Sequence, residues 1–356
     1  MKSIKILGAG LSGLTAAINL AKAGYKVDVF EKRDDCGKRF LGDLEGLENW
    51  SSTIDVMQEL KSMNVKTNFD FNPFKTICIS DGKEILENTY DKPVFYLVKR
   101  GAFENSLDQG LKKQALDRGV NIHFNSKITK ESIDIISIGP AENKPAGIVK
   151  GISFETESDD IAVALLNREA SSSGYSYLLI SKGYGCICSV NINITGKELN
   201  TYFGKTYEII TNLFDIDIKN KRNVGGIGCF LLKPRLVKDE KIYTGEAAGL
   251  QDFLWGFGMR YAINSGYLAA LSIIENKDYK NLIKQRFSDK TKTSIVNRFV
   301  VETFGNKSYT NLLQLAKKHP NKWANLLYYG YNPSLYSRAI YPIAKLNFLL
   351  KQRAIS

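Results

Sequence analysis

The chain is poor in the residues from which most metal sites and acyl-transfer centres are built. Only two histidines, His123 and His319, occur in 356 residues, so neither a histidine-built metal site nor a Ser-His-Asp triad is expected, and no metal is assigned. The five cysteines (Cys36, Cys78, Cys186, Cys188 and Cys229) are odd in number and irregularly spaced. That pattern suits free thiols in a reducing compartment better than a disulfide frame. Cys186 and Cys188 alternate within an apolar run and would share one face of a strand; without CxxC spacing they are expected to pack rather than ligate. No run of eighteen apolar residues is present, so no membrane-spanning helix is expected. The amino-terminal apolar stretch is broken by Gly8 and Gly10. This is not the layout of a secretory signal, and a cytoplasmic location is expected.

What is present describes a globular protein of more than one typical domain, with 44% hydrophobic and 24% charged residues. The net charge of +12 is concentrated in the tail, where residues 271–356 carry fifteen Lys/Arg against Glu275, Asp278, Asp289 and Glu302. Trp323, Leu326, Leu327, Tyr328, Tyr329 and Tyr331 interleave with these cations. A solvated basic helical face and a membrane-surface contact both fit this composition. No recognisable nucleic-acid module accompanies it, and nucleic acid is not expected as a partner.

The first thirty-one residues carry the most information. A largely apolar run, Ile4 to Leu7, opens into Gly8-Ala9-Gly10-Leu11-Ser12-Gly13 and an Ala/Leu-rich amphipathic segment; a second apolar run then ends at Glu31. Strand, glycine turn, helix, strand and terminal carboxylate in this order predict a dinucleotide site for FAD or NAD. Gly8 permits the tight turn, Gly10 admits a pyrophosphate to the backbone, and Gly13 lets helix and strand lie close. The helix amino-terminus offers unpaired N–H donors to phosphates. Glu31 is placed to accept from ribose hydroxyls, and Lys32 follows it at the same strand end. Beyond it, a glycine-rich polar stretch from Gly37 to Ser51 suggests a loop reaching the cofactor, with Arg39 near the pyrophosphate or adenosine ribose and Asp43 beside it.

Two distant segments share this chemistry. Ile133 to Gly139 is expected to be a buried strand ending in a glycine turn, with Gly139 at the cofactor. Ile242 to Gly249, with Gly245 and Glu246 at its turn, runs on through Trp255-Gly256-Phe257-Gly258-Met259 into a small-residue helix, Arg260 to Ala270. Strand, Gly-acid turn, glycine-punctuated loop and helix start suit a second approach to an extended dinucleotide.

These pieces, in this order, resemble the geranylgeranyl reductase family of the p-hydroxybenzoate-hydroxylase-type flavoprotein superfamily. The resemblance implies FAD, held by Gly245 to Gly249, Gly256 to Gly258 and Ala262 to Gly266, with Arg100 of Tyr96-Leu97-Val98-Lys99-Arg100 near the flavin. It implies an α/β architecture: a discontinuous Rossmann-type FAD-binding domain (1–50, 93–150 and 224–285), an inserted antiparallel sheet forming a substrate domain (51–92 and 151–223), and a C-terminal helical region (286–356). Departures are specific. Glu246 stands where the family usually has Asp, Pro140-Ala141-Glu142 stands where the superfamily has a DG-type fingerprint, and Gly174 to Gly183 keeps tyrosines and Lys182 of a substrate motif but lacks its Trp, Phe and Pro. The cofactor therefore carries over, and the substrate's identity does not.

In a flavin enzyme the ring carries the redox chemistry, and the protein supplies placement, electrostatics and exclusion of water. Reduction of a carbon–carbon double bond also needs a proton donor. Tyr177, Lys182 and Cys186 are substrate-side candidates, and Trp255 is placed to cover the flavin or line the cavity. The expected activity is reduction of an apolar isoprenoid or lipid-linked substrate. Only one GxGxxG unit occurs, so electrons would come from an external donor: NAD(P)H, ferredoxin or another flavoprotein. A monooxygenase or halogenase-like enzyme on the same scaffold, or a flavin-binding membrane-surface protein with little turnover, are the alternatives.

Overall fold

The computed structural model describes residues 2–140, 145–192, 194, 196–319, 328 and 330–355. Ala141, Glu142, Trp323, Leu326, Leu327 and Tyr329, named above, lie outside the described residues.

The dinucleotide expectation becomes a parallel core. Strands β1 (Ser3–Leu7) and β2 (Lys26–Phe30) pair in parallel, with β8 (Asn121–His123) beyond β2 and β9 (Ile135–Ile136) on the other side of β1. β16 (Lys241–Tyr243) pairs in parallel with β9, and β15 (Val237–Lys238) closes the edge antiparallel. The order β15-β16-β9-β1-β2-β8 places β1 centrally, so the crevice at its carboxyl end lies at the switch point of a doubly wound sheet. The strand expected over residues 133–138 is in register with β1 at Ile135 and Ile136, and its ladder runs from Asp134 to Ser137, whose N–H groups donate to the Lys5 and Leu7 carbonyls.

Helix α1 (Leu11–Lys22) follows β1 and is buried over most of its length. It is pressed between this sheet and α5 (Met259–Ile274). Glycine makes both contacts close. A Cβ on Gly13 would lie 2.1 Å from the Gly8 carbonyl oxygen, and one on Gly266 would lie 2.1 Å from that of Ser12. Neither position tolerates a side chain without separating the layers.

The inserted segments form two further sheets. A seven-stranded sheet runs β14-β10-β13-β12-β11-β5-β6, comprising β5 (Thr76–Ser80), β6 (Ile85–Thr89), β10 (Gly147–Glu155), β11 (Ile161–Leu165), β12 (Tyr175–Ser181), β13 (Tyr184–Ile192) and β14 (Lys219–Gly228). It is antiparallel except where β11 meets β5. Leu178, Ile180 and Ile187 pack with Ile210 of α4 (Leu199–Leu213) on one face, which turns the alternate residues Tyr175, Tyr177 and Leu179 to the other. A three-stranded sheet, β3 (Leu41–Glu48), β7 (Phe95–Gly101) and β4 (Phe71–Phe74), bridges the two larger ones. β3 and β7 pair with each other, and their apolar residues, among them Leu47 and Val98, belong to the main core. Short helices α2 (Val56–Ser62) and α3 (Leu107–Leu116) complete this region.

The tail is helical as expected. α6 (Tyr279–Phe304) starts at an Asp278 N-cap, followed by α7 (Asn306–Lys318) and α8 (Leu335–Ile355). α8 lies along α6, with Ala344 and Phe348 meeting Phe230, Phe253, Ile295 and Val296. No described helix is long and apolar enough to cross a membrane.

The same change, glycine to alanine, has opposite expected outcomes at two positions. Gly266→Ala should destabilise the protein by about 1–3 kcal/mol by forcing α5 from α1. Gly204→Ala, in α4 where an added Cβ meets nothing within 4 Å, should stabilise it by up to about 1 kcal/mol. Thermal unfolding of the two variants beside the wild type reads both signs.

Candidate functional site

The glycine turn after β1, the loop before α5 and the concave face of the large sheet border one cavity of about 680 Å³. Its dinucleotide side begins at Gly8, whose φ of +103° suits glycine. Glu31, just past β2, braces this turn: its Oε2 accepts from the Ala9 N–H at 3.0 Å and its Oε1 from that of Arg33 at 3.0 Å. Each oxygen keeps further acceptor capacity, and Glu31 lines the cavity. Gly10 caps α1 without a side-chain acceptor, so the first-turn N–H groups beside the cavity have no intrahelical partner.

Ala9, Leu11, Ser12, Lys32, Arg39, Arg100, Gly139, Glu246, Gly256, Phe257, Gly258 and Met259 also line this space. The chain thus brings residues more than two hundred positions apart to one cavity. Arg39 joins two of these groups: Nη1 donates to Glu246 Oε2 at 2.6 Å, Nη2 donates to the Ile227 carbonyl at 2.5 Å, and a Cβ on Gly139 would stand 3.1 Å from Nη1. Arg100 is fully engaged by acids. It donates to Asp108 at 2.9 and 3.1 Å and to Glu45 at 2.7 Å, while its guanidinium lies 4.0 Å from the Phe40 ring centroid. These fixed partners make Arg100 a rigid part of the wall.

Gly13 and Gly245 sit one layer behind the lining. Gly13 secures the helix–strand approach, and Gly245 (φ +55°) packs on Ser12 and donates to Ser265 Oγ at 2.9 Å. Their part is to bring α1, α5 and the 245–248 turn together.

The loop before α5 is held from beneath by Asp252, which sequence reasoning overlooked. This buried carboxylate accepts from the N–H groups of Trp255 (2.5 Å) and Gly256 (3.2 Å), from Ser294 Oγ of α6 (2.6 Å) and from the Tyr331 hydroxyl (3.1 Å). Burial raises its pKa, and these four donors offset part of that cost. An acid set in an apolar run, Phe253-Leu254-Trp255 following it, was the available signal. Tyr331, expected on a basic aromatic surface, is instead buried, because its hydroxyl has a partner only inside. Gln251 was missed as well. Its Nε2 donates to the Gly256 carbonyl at 2.8 Å, and its Oε1 is buried at the cavity without a hydrogen-bond partner.

The opposite wall is mainly apolar: Ile77, Leu97, Ala162, Leu179, Val190 and Ile192, with Tyr175 and Tyr177. The Tyr175 hydroxyl donates to the Trp255 carbonyl at 3.0 Å, and their rings meet edge-on at 5.4 Å, so Trp255 is anchored at the junction of the two sides. Burial, reinforced by the neighbouring Cys188 and Cys186 thiols, holds the Tyr177 phenol protonated well above its ordinary range. Cys186 and Cys188 lie side by side as expected, buried with Leu44 and Val224 rather than lining the cavity.

Lys182 departs from its expected place. It occupies the β12–β13 turn at φ +53°, with its ammonium on the Phe71 carbonyl at 3.3 Å, and it does not line the cavity. The hairpin reverses one residue beyond Ser181, which carries Lys182 off the inward-facing register and into solvent.

Asp43 lines the cavity from β3. Burial, with Glu45 as the second cause, pushes its pKa from 3.8 up to about 6. The folded state thus holds a proton that the unfolded chain has released between 3.8 and about 6, so stability falls as pH rises through that window and is level above it. Asp43→Asn should unfold at a higher temperature than wild type above pH 6 and match it below pH 4. Melting curves across this range test the sign; a pH-independent difference would mean that folding leaves the Asp43 pKa unshifted.

Against known proteins, residues 6–41 match the family described as an NAD(P)-binding Rossmann-like domain. A kynurenine 3-monooxygenase of Legionella pneumophila (strain Lens) is 27% identical over 177 residues, 49% of this chain and 36% of that protein; the match thus takes in about a third of that relative's length. Among solved structures, a geranylgeranyl bacteriochlorophyll reductase-like protein from Thermoplasma acidophilum superposes with a TM-score of 0.63 at 18% identity, covering 96% of each chain. The flavin-dependent brominase Bmp2 does so with a TM-score of 0.64 at 15% identity, covering 98% of this chain and 99% of its own. The shared feature is the whole fold: a Rossmann-like domain, an added antiparallel sheet and C-terminal helices.

Proposed function

We propose that this protein is an FAD-dependent oxidoreductase that reduces a carbon–carbon double bond of an apolar, isoprenoid or lipid-linked substrate. The observation that carries the reading is the single cavity bordered by dinucleotide-type glycine turns on one side and by an apolar sheet on the other. A dinucleotide fits the residues present: a glycine cradle without Cβ atoms, the amino-termini of α1 and α5, the acceptor Glu31, and the orphaned Gln251 oxygen, which suits a donor such as the flavin imide. The fold is shared with a flavin-dependent brominase and with a reductase-like protein, which supports FAD over NAD as the resident group.

When bound, FAD supplies two-electron redox chemistry at its ring. Gly8, Ala9, Gly10, Leu11 and Ser12 would hold the phosphates, Glu31 and Lys32 the ribose end, and Gly256 to Met259 the ring end. Arg39, drawn to Glu246, would lie near the pyrophosphate or adenosine ribose. Trp255 and the sheet wall exclude water from the substrate side. Tyr177, which lines the cavity, would donate the proton that a reduced double bond requires. An external donor, NAD(P)H, ferredoxin or another flavoprotein, returns electrons. Oxygen insertion is a second reading, favoured by the resemblance to a monooxygenase and a brominase.

The purified protein should be yellow and release FAD on heating. Anaerobic incubation of the dithionite-reduced protein with a panel of isoprenoid lipids should yield products heavier by two hydrogens. Tyr177→Phe should slow that step by roughly a hundredfold with flavin content unchanged. A colourless protein that cannot be reconstituted rejects the cofactor, and product formed only with oxygen, carrying an added oxygen or halogen atom, rejects reduction.

A further inference from the structure

Helix α8 presents an unusual outer face. Leu335 is 87% exposed, Ile343 61%, Leu346 58% and Leu350 56%. At 100° per residue these side chains, with Ala339 and Pro342, fall within one stripe about a quarter of the helix circumference wide. The inner face, Ala344 and Phe348, is already satisfied against α6 and the loop before α5. The outer stripe is therefore surplus to folding, and a contiguous apolar strip left in water marks a contact surface.

Charge selects the partner. Arg338 and Lys345 follow one border of the stripe, whereas Lys351 turns inward to Glu302 of α6. Glu302 is the last acidic residue of the chain; residues 303–356 contain eight Lys/Arg and no Asp or Glu. Glu302 itself is spent on Arg298, at 2.7 Å, and on Lys351, at 2.6 Å. A second copy seated on this face would set its own Arg338 and Lys345 against like charges. An anionic lipid surface offers both complements, acyl chains for the stripe and headgroups for its cationic border.

We propose that α8 docks this protein on an anionic membrane surface, lying in the interface plane with Leu335, Ile343, Leu346 and Leu350 among the acyl chains and Arg338 and Lys345 at the headgroups. The docking is independent of the chemistry in the cavity, and it fails or stands separately from it.

Co-sedimentation of the full-length protein with vesicles of phosphatidylcholine alone, or mixed with phosphatidylglycerol, tests this. Wild type should sediment with the mixed vesicles, less so at high salt, and weakly with phosphatidylcholine alone. Ile343→Glu/Leu346→Glu should stay in the supernatant, and Arg338→Ala/Lys345→Ala should partition roughly thirtyfold less. Because these side chains face solvent, melting temperature should match wild type in both variants; equal melting with lost sedimentation supports the proposal. Absence of sedimentation with mixed vesicles, equal partition into both vesicle types, or a wild-type dimer that Ile343→Glu/Leu346→Glu dissociates would overturn it.

Discussion

The close approach of α1 to α5 is the constraint on which the rest of this structure depends. Two helices separated by nearly 240 residues of chain meet with Gly266, which has no side chain, over the Ser12 backbone carbonyl, and that contact fixes where both amino-termini open. One opens at the Gly8–Gly13 turn, the other at Gly256–Met259, and both border the same cavity. A backbone-to-backbone contact of this kind has no rotamer to adjust, so the relative position of the two turns is set as firmly as a strand register.

From that frame the remaining elements take their places by elimination. α1 covers one face of the parallel sheet, and α5 packs on the outer side of α1. The large antiparallel sheet has one face sealed by α4, which leaves Tyr175, Tyr177 and Leu179 to form the far wall. The three-stranded sheet fills the corner between them, and its strand β3 brings two acids, Asp43 and Glu45, close to Arg100. Electrostatics here is largely internal: Arg100 is consumed by Asp108 and Glu45, and Arg260 by Glu48 and Glu59 at 3.3 and 2.6 Å. Such buried pairs cost desolvation and add little net stability. Their effect is to fix geometry, because a buried charge has few other places to go.

Much of this was legible in the chain. The glycine fingerprint, the late Gly-acid turn and the alternating runs of the inserted sheet each carry a local signature, since a left-handed turn, a close approach and a one-sided strand all restrict residue type. The convergence of Gly8 with Gly256 was legible only as a consequence of motif order. What escaped was long-range. Nothing near Asp252 announces that its partners are Ser294 and Tyr331, forty and eighty residues away, and Lys182 matches a motif by spacing although the hairpin turns it outward. The pairing of β3 with β7 was hidden for the same reason: a strand's period tells which face is buried and not which strand lies beside it.

The helical tail is not an appendage to this arrangement. Phe348 of α8 meets Phe253, the residue after Asp252 and two before Trp255, edge-on with 5.5 Å between ring centroids. Phe348 also meets Phe230, 6.0 Å between ring centroids, and Phe230 lines the cavity, so the amphiphilic helix reaches the cavity wall through a single residue. A push on one would be felt by the other through material that does not compress, so the molecule's exterior contacts and its interior chamber share a common mechanical element.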